Sequence, residues 1–175
     1  TVRANWKTGA ENFISDFQHA QSIAHASALQ ATGRFEPTTV TDGVQANPAP
    51  GHGLFLHRAQ SDRPNTLRTS EFMAANNPDA VERLGELRGS GSIDPIAGTI
   101  FPNLSFNFSP QIANLRMWMP RGPEHMEVWT WGIVDADIDP VNQQAMVSSF
   151  QRMFGVSGLV EQDDGDQWQE VTASG

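Results

Sequence analysis

The sequence predicts an α+β domain in which helices pack on an antiparallel β-sheet. Three segments between residues 99 and 134 are rich in Ile, Phe, Val and Trp, a composition typical of strands. Residues 120–123, Pro-Arg-Gly-Pro, join the last two segments and are typical of a turn. Apolar residues at helical spacing lie before and after these strands, so we expect helices on one face of the sheet.

The first half of the chain is predicted to contain two helices, a loop and a short strand. Residues 11–31 have the pattern of a helix, and residues 32–51, rich in Thr, Pro, Gly and Asn, have that of a long surface loop. Residues 53–57 are expected to form a short strand. Residues 77–87 begin Asn-Pro-Asp, which is typical of a capped helix start.

The second half is predicted to supply most of the sheet. Strands are expected at 99–108, 115–119 and 126–134. Both faces of the third segment are apolar, which predicts a central strand that is covered on each side.

A further helix is predicted to follow the strands. Asp139-Pro140 is expected to cap this helix, and Gly155 to end it. The acidic run 161–166 comes next and by itself is typical of a solvated turn.

Composition excludes several classes of protein. The chain has 175 residues, with 11 Lys plus Arg against 20 Asp plus Glu and a net charge of −9, so we expect no nucleic-acid partner. The absence of Cys excludes disulfides, thiolate zinc sites and any iron–sulfur cluster held by these residues. The chain contains no apolar run of about 18 residues, so we expect no membrane span. The acidic balance fits a bacterial cytoplasmic protein.

A group of histidines and carboxylates carries the chemistry of interest. His19 and His25 lie six residues apart in the first predicted helix, and Asp163 and Asp164 form a pair far downstream. Two imidazoles and one carboxylate are the facial triad of non-haem Fe(II) oxygenases. Because residues six apart point about 120° away from each other on a regular helix, we predict a break near 22–23. On spacing alone, two ordinary histidines remain the alternative.

Several sequence blocks resemble one known family, and they occur in the family's order. The first contains Asn5-Trp6-Lys7, Ala10-Glu11-Asn12-Phe13 and Asp16-x-x-His19, and the later ones are Thr99–Asn103, Met117–Pro120, Glu127–Trp131 and Glu161–Trp168. Together they resemble the catalytic domain of the large (alpha) subunit of Rieske-type aromatic-ring-hydroxylating oxygenases. The resemblance implies a helix-grip, START-like fold.

The resemblance implies a mononuclear Fe(II) site. His19, His25 and Asp164 match the family's iron ligands, with Asp163 as the alternative carboxylate. Asp16 matches a bridging carboxylate that bonds to a ligand histidine and relays electrons from a Rieske cluster. Such a partner also fixes the tautomer of a metal-bound histidine.

Further residues match positions around the iron and the substrate. Asn12 would lie beside the iron without firmly ligating it. The positions that match the substrate pocket are Phe13, Phe17, Ala20, Asn107, Phe154 and Val160. These apolar walls favour an aromatic hydrocarbon over a carboxylated ring, since no Arg or Lys is placed to pair with a carboxylate. We expect four further aromatic residues to lie in the core or at contacts with another subunit: Phe101, Trp118, Trp129 and Trp131.

The implied activity is that of the oxygenase component of a multicomponent dioxygenase. It would use O₂ to convert an aromatic compound to a cis-dihydrodiol, with electrons from NADH passing through a reductase, a ferredoxin and a Rieske [2Fe–2S] cluster. Alpha subunits of this kind form α3 or, with a beta subunit, α3β3 assemblies. The Rieske domain is absent from this Cys-free sequence, so residues 1–175 are expected to be a catalytic domain or a fragment of it, inactive without the Rieske domain.

Two other readings remain open at this point. The same fold is used without metal to bind hydrophobic ligands, and a truncated fragment would only contact a partner subunit. A metal-free carrier has no need for His19, His25 and Asp164 together, and a structural fragment predicts subunit contacts without iron.

Overall fold

A six-stranded antiparallel sheet forms the centre of the computed structural model. The structure describes residues 1–15, 19, 25, 43–58, 78–79, 81–83, 85, 93–109 and 112–175. The strands are β1 (Gly43–Ala46), β2 (Gly53–Arg58), β3 (Ile93–Ile100), β4 (Leu104–Ser109), β5 (Ile112–Pro120) and β6 (Met126–Ile133). They neighbour one another in chain order, each antiparallel to the next, which confirms the predicted fold class.

Three helices in the described part of the chain have fixed bounds. They are α1 (Trp6–Ser15), α2 (Pro140–Phe154) and α3 (Leu159–Ser174), and residues 78–79 and 81–83 are also helical. Helix α1 contacts β2, β3 and β5, and α2 packs against α3. No helix in these residues is long and apolar enough to cross a bilayer.

Helix α1 begins five residues earlier than predicted. The side chain of Asn5 accepts a hydrogen bond from the backbone N–H of Lys7 at 3.0 Å, so Asn5 caps the helix. His19 is helical, whereas the backbone at His25 is bent, so a regular helix does not extend through 31 as predicted. The positions of the predicted break, 22–23, lie outside the described residues.

One strand prediction and one loop prediction were wrong in detail. The predicted strand 99–108 is a hairpin, because Phe101–Asn103 form a turn between β3 and β4. Pro102 lacks the N–H that a continuous strand would need at that point. The predicted loop 32–51 contains β1, which pairs with β2.

The predicted central strand β6 lies at the edge of the sheet. Its inward residue Met126 is fully buried, but Trp129 and Trp131 on the outer face are 53% and 44% exposed. Phe101 in the β3–β4 turn is 58% exposed, so it is not a core residue either. Alternation predicted two apolar faces correctly, yet an apolar outer face does not reveal whether this chain covers it.

The core lies between α1, α3 and the inner face of β5. Trp118 is fully buried, and its ring meets Phe13 and Trp168 edge-on at centroid distances of 5.6 and 5.1 Å. Its indole N–H donates to Ser105 Oγ at 2.7 Å. Gly9 permits this contact, since a Cβ there would lie 2.6 Å from the Trp118 ring. This packing fixes α1, which carries Asn12 and leads to His19.

Candidate metal centre

Helix α3 carries the carboxylate of the site on its buried face. Val160, Asp164 and Trp168 recur every four residues and are the buried residues of this helix. The acidic run that by itself predicted a solvated turn is therefore helical. The helix turns Asp164 towards α1, and Asp164 is only 3% exposed.

The structure brings the two histidines and Asp164 together. Asp164 Oδ1 lies 3.5 Å from His19 Nε2 and 3.2 Å from His25 Nε2. One ligand atom from each of the three residues lies within 4.8 Å of the others. The imidazole centroids are 5.1 Å apart at 72°, so the two rings do not stack face to face.

The buried carboxylate is held in its charged form. Burial acts to raise the pKa of Asp164, but the adjacent His19 and His25 outweigh it, and the pKa lies below its ordinary value. Within the described part of the chain, Oδ1 of Asp164 has no hydrogen-bond partner of acceptable geometry. A buried anionic oxygen that two imidazole nitrogens approach in this way fits a metal position.

Neighbouring side chains orient both imidazoles. Asp163 Oδ2 lies 3.4 Å from His25 Nδ1, on the opposite side of the ring from Asp164. Asn12 Nδ2 lies 3.1 Å from His19 Nδ1 and 3.4 Å from His19 Nε2, and the Trp168 indole N–H points at Asn12 Oδ1 at 3.4 Å. Partners of this kind set the ring orientation of metal-binding histidines. Sequence reasoning considered Asp163 only as an alternative ligand and missed this orienting contact.

Four of the six predicted pocket residues lie in the described part of the chain. Phe13 and Val160 are buried, and Phe154 and Asn107 are partly buried. Asn107 lies directly opposite Asn114 in the register of β4 and β5. The predicted residues Asp16, Phe17 and Ala20 lie outside the described residues.

The inner face of β5 is more polar than the sequence analysis expected. Asn114 and Arg116 are fully buried on the same face as Trp118, four and two residues before it. Arg116 Nη2 donates to Glu161 Oε2 at 2.6 Å. Its guanidinium carbon lies 5.0 Å from the centroid of the Phe13 ring and 4.9 Å from that of Phe154. The sequence analysis did not place Arg116 beside these phenylalanines. Because Glu161 already pairs with this arginine, the expectation that no Arg or Lys is placed to pair with a substrate carboxylate stays a prediction.

Strand alternation contained a signal for this arginine. Trp118 was assigned to the core, and Arg116 shares its face at a spacing of two. Burial raises the pKa of Glu161, against the lowering effect of Arg116, and the nearby Asp164 charge also raises it. The Arg116–Glu161 pair is thus electrostatically coupled to the metal-centre carboxylate.

A groove of about 770 Å³ is lined by α3, β6, the end of α2 and the first three residues of the chain, and its wall includes Phe154 and Trp168. Its wall includes Val128 and Thr130 of β6, Phe150 of α2, and Glu161 of α3, but not Asp164. The groove therefore does not contain the His–His–Asp group.

Comparison with known proteins identifies the family. The model of the ring hydroxylating alpha subunit (catalytic domain) matches residues 1–173. The chain belongs to the ring-hydroxylating alpha subunit family. The match covers nearly the whole chain and includes every residue of the His–His–Asp group.

Individual ring-hydroxylating relatives agree with this assignment. The chain is 33% identical to the biphenyl 2,3-dioxygenase alpha subunit of Rhodococcus jostii (strain RHA1), over 97% of this chain and 39% of the relative. It is 30% identical to the N,N-dimethyl phenylurea N-demethylase alpha subunit of Sphingobium sp. (strain YBL2), over 99% and 41%. The chain thus spans about two-fifths of the length of these curated relatives.

Solved ring-hydroxylating structures share the fold. The structure of naphthalene 1,2-dioxygenase from Rhodococcus sp. bound to indole superimposes with a TM-score of 0.81 at 28% identity. The match covers 99% of this chain and 42% of that one.

Proposed function

We propose that this chain is the catalytic part of the oxygenase component of an aromatic-ring dioxygenase. The whole enzyme adds both atoms of O₂ to an aromatic ring and gives a cis-dihydrodiol. One observation carries the proposal: His19, His25 and Asp164 present ligand atoms within 4.8 Å of one another around a buried, charged carboxylate. Family membership supports the same reaction class.

The donor set suits Fe(II). Two neutral imidazoles and one carboxylate leave coordination positions open on one side, which distinguishes oxygenase iron from a closed structural site. Held by these three residues, Fe(II) would supply the activation of O₂ beside the substrate. The chain contributes the geometry: Asp163 holds the His25 ring, and Asn12 holds the His19 ring. Asp164 supplies the single negative charge.

The substrate ring is proposed to lie beside the phenylalanines. Phe13 is buried against Trp118, and the rings of Phe13 and Phe154 both lie about 5 Å from the Arg116 guanidinium carbon. Val160, one turn before Asp164, lines the same buried face of α3. Phe17, Ala20 and Asn107 complete the proposed lining. Such apolar surfaces exclude water and fix the orientation of a flat ring.

Electrons are proposed to come from NADH through a reductase, a ferredoxin and a Rieske [2Fe–2S] cluster. The 175 residues contain no Cys, so the cluster belongs to another part of the parent subunit. Asp16 is proposed to couple that cluster to the iron. Residues 1–175 are thus proposed to be a catalytic domain or part of one.

The assembly is proposed to be α3 or α3β3. The outer face of the sheet edge exposes Trp129 and Trp131, whose rings lie 6.3 Å apart. Exposed aromatic residues grouped in this way support a contact with another subunit.

Iron content tests the proposed function directly. After anaerobic reconstitution with Fe(II), we expect about one iron per chain by the facial-triad argument, and none in His19→Ala. His125→Ala is the matched control, since this exposed histidine lies in the β5–β6 turn region and should not affect iron binding. A folded wild-type chain that takes up no iron would favour the metal-free carrier, and an unfolded one the incomplete fragment.

N-demethylation is the second candidate. A relative of similar identity is named as an N,N-dimethyl phenylurea N-demethylase, and the polar groups of Asn114 and Arg116 suit a ring with a polar substituent. Product analysis with the complete enzyme separates the two reactions, because demethylation leaves the ring without new hydroxyl groups.

A further inference from the structure

Strand β5 holds four buried polar atoms that have no hydrogen-bond partner. They are Nδ2 and Oδ1 of Asn114 and Nε and Nη1 of Arg116, among the residues that the structure describes. Both side chains are fully buried. Buried polar groups are nearly always satisfied, so a cluster of four unsatisfied atoms indicates that something else bonds to them.

These atoms lie beside the proposed ring site. Asn114 and Arg116 are two residues apart, so both point from β5 to the face that carries Trp118. The Arg116 guanidinium carbon lies 5.0 Å from the ring centroid of Phe13 and 4.9 Å from that of Phe154. Asn107, another proposed pocket residue, is the cross-strand partner of Asn114. A group attached to a ring near the phenylalanines would thus be within reach of β5.

The chemistry of the free atoms defines what they can bind. Three of them are nitrogen donors, and Asn114 Oδ1 is an acceptor. A carboxamide is complementary, because its carbonyl oxygen accepts from the nitrogens while its N–H donates to Oδ1. A hydrocarbon ring offers none of these bonds.

Charge favours a neutral group over a carboxylate. Glu161 already neutralises Arg116 through the 2.6 Å ion pair. A neutral group therefore needs no further charge compensation at this position.

We propose that Asn114 and Arg116 form a subsite for a neutral carboxamide-type substituent on the aromatic substrate. The inference rests on the proposed function, since the ring is placed by the same phenylalanines. It replaces the expectation of a plain hydrocarbon with a ring that carries one amide or urea group.

Ligand binding to the metal-free chain tests this subsite. Isothermal titration calorimetry would compare oxindole with indane, which has the same bicyclic shape but no polar atom. We expect oxindole to bind at least about tenfold more tightly, because a site with unpaired buried polar groups discriminates strongly against an apolar analogue.

Two variants and one control assign the preference to β5. Asn114→Leu removes both amide atoms, and Arg116→Lys keeps a cation for Glu161 but removes the spare guanidinium nitrogens. In each variant, the ratio of the indane Kd to the oxindole Kd should fall to about threefold or less. The indane Kd itself should stay within about threefold of the wild-type value. Met117→Leu, on the opposite face of β5, should keep the full preference. Should Arg116→Lys not fold, Asn114→Leu alone decides.

Several outcomes overturn the subsite. They are equal affinity for oxindole and indane, a preference that persists in Asn114→Leu, tighter binding of indane-2-carboxylate than of oxindole, and no binding of either bicycle. Equal affinity would mean that water satisfies the four atoms. None of these results affects the iron test, and a chain that binds no iron still yields the oxindole measurement.

Discussion

At the scale of single residues, the adjacent carboxylates Asp163 and Asp164 have different surroundings. Asp164 faces both imidazoles, whereas Asp163 lies 3.4 Å from His25 Nδ1 and is 28% exposed at its side chain. We predict that Asp164→Asn abolishes Fe(II) binding, because the only anionic ligand is lost. Asp163→Asn should weaken binding by about 10–100-fold through a less well oriented His25. Competition with a colorimetric Fe(II) chelator measures both, and the reverse order would make Asp163 the ligand.

The sequence could not separate these two aspartates without the family resemblance. Helical periodicity does separate them, because Val160, Asp164 and Trp168 share a buried face. That argument needs the segment to be a helix, and its acidic composition indicated a turn. The contact of Asn12 with His19 was also inaccessible, since its geometry depends on how α1 packs on Trp118.

Gly9 provides a second prediction for a single residue. A Cβ at this position would lie 2.6–2.9 Å from three atoms of the buried Trp118 ring, which is also held by Ser105. We predict that Gly9→Ala lowers the free energy of unfolding by about 1–3 kcal/mol through overpacking. Urea denaturation measures the change. Gly165→Ala is the control, since that helical position has open space and Ala is the better helix former.

At the scale of the element, α2 depends on its cap. Asp139 accepts hydrogen bonds from the backbone N–H groups of Val141 and Asn142 at 3.0 and 3.1 Å. The bond from the Asn142 backbone, with help from its side chain, lowers the pKa of Asp139. A carboxylate with a lowered folded-state pKa stabilises the protein above its unfolded pKa, and this stabilisation is lost as the pH falls through the folded-state value.

The cap therefore predicts a pH-dependent effect of Asp139→Ala. The substitution should lower the Tm at pH 7, and the difference from wild type should shrink as the pH falls below the ordinary range of an aspartate. Thermal melts followed by circular dichroism would show this. Asp137→Ala, two residues before the cap, should leave the Tm nearly unchanged. An equal loss at all pH values would rule out the charged cap.

Elements with strong local signals could be predicted from sequence, and elements defined by long-range contacts could not. The Asp139-Pro140 start and Gly155 end of α2 follow from backbone chemistry alone, and both were predicted correctly. The strand β1 was missed because its Gly-Val-Gln-Ala sequence has little strand preference and depends on pairing with β2. The edge position of β6 was missed because its apolar outer face indicated a covered strand, whereas the order of strands in a sheet depends on long-range pairing.

At the scale of the whole molecule, a bound metal would join distant parts of the chain. His25 and Asp163 are 138 residues apart in sequence, and nearly the same separation applies to the proposed metal ligands. We predict that Fe(II) at 100 times its Kd stabilises the chain by about 2.7 kcal/mol, because only the folded state assembles the site. Differential scanning calorimetry under anaerobic conditions measures the shift. His19→Ala should show no shift, and an equal shift in both would indicate non-specific binding.

The sequence was sufficient to predict the fold class of the whole molecule and the three side chains that meet at the candidate metal centre. Ordered blocks of family residues carried that inference across the chain. The polar inner face of β5 escaped it, because a lone Arg between apolar residues looks exposed until strand alternation is applied from Trp118.

The long sequence separation between the two histidines and Asp164 also has a consequence for protein synthesis. A ribosome that adds about 5–20 residues per second needs roughly 7–30 s to pass from the second histidine to the carboxylate that faces it. During that interval the nascent chain offers two neutral imidazoles and no anion. If the proposed iron site is correct, iron would be captured only after α3 has emerged and docked, so metal loading would be a late event in the life of each chain.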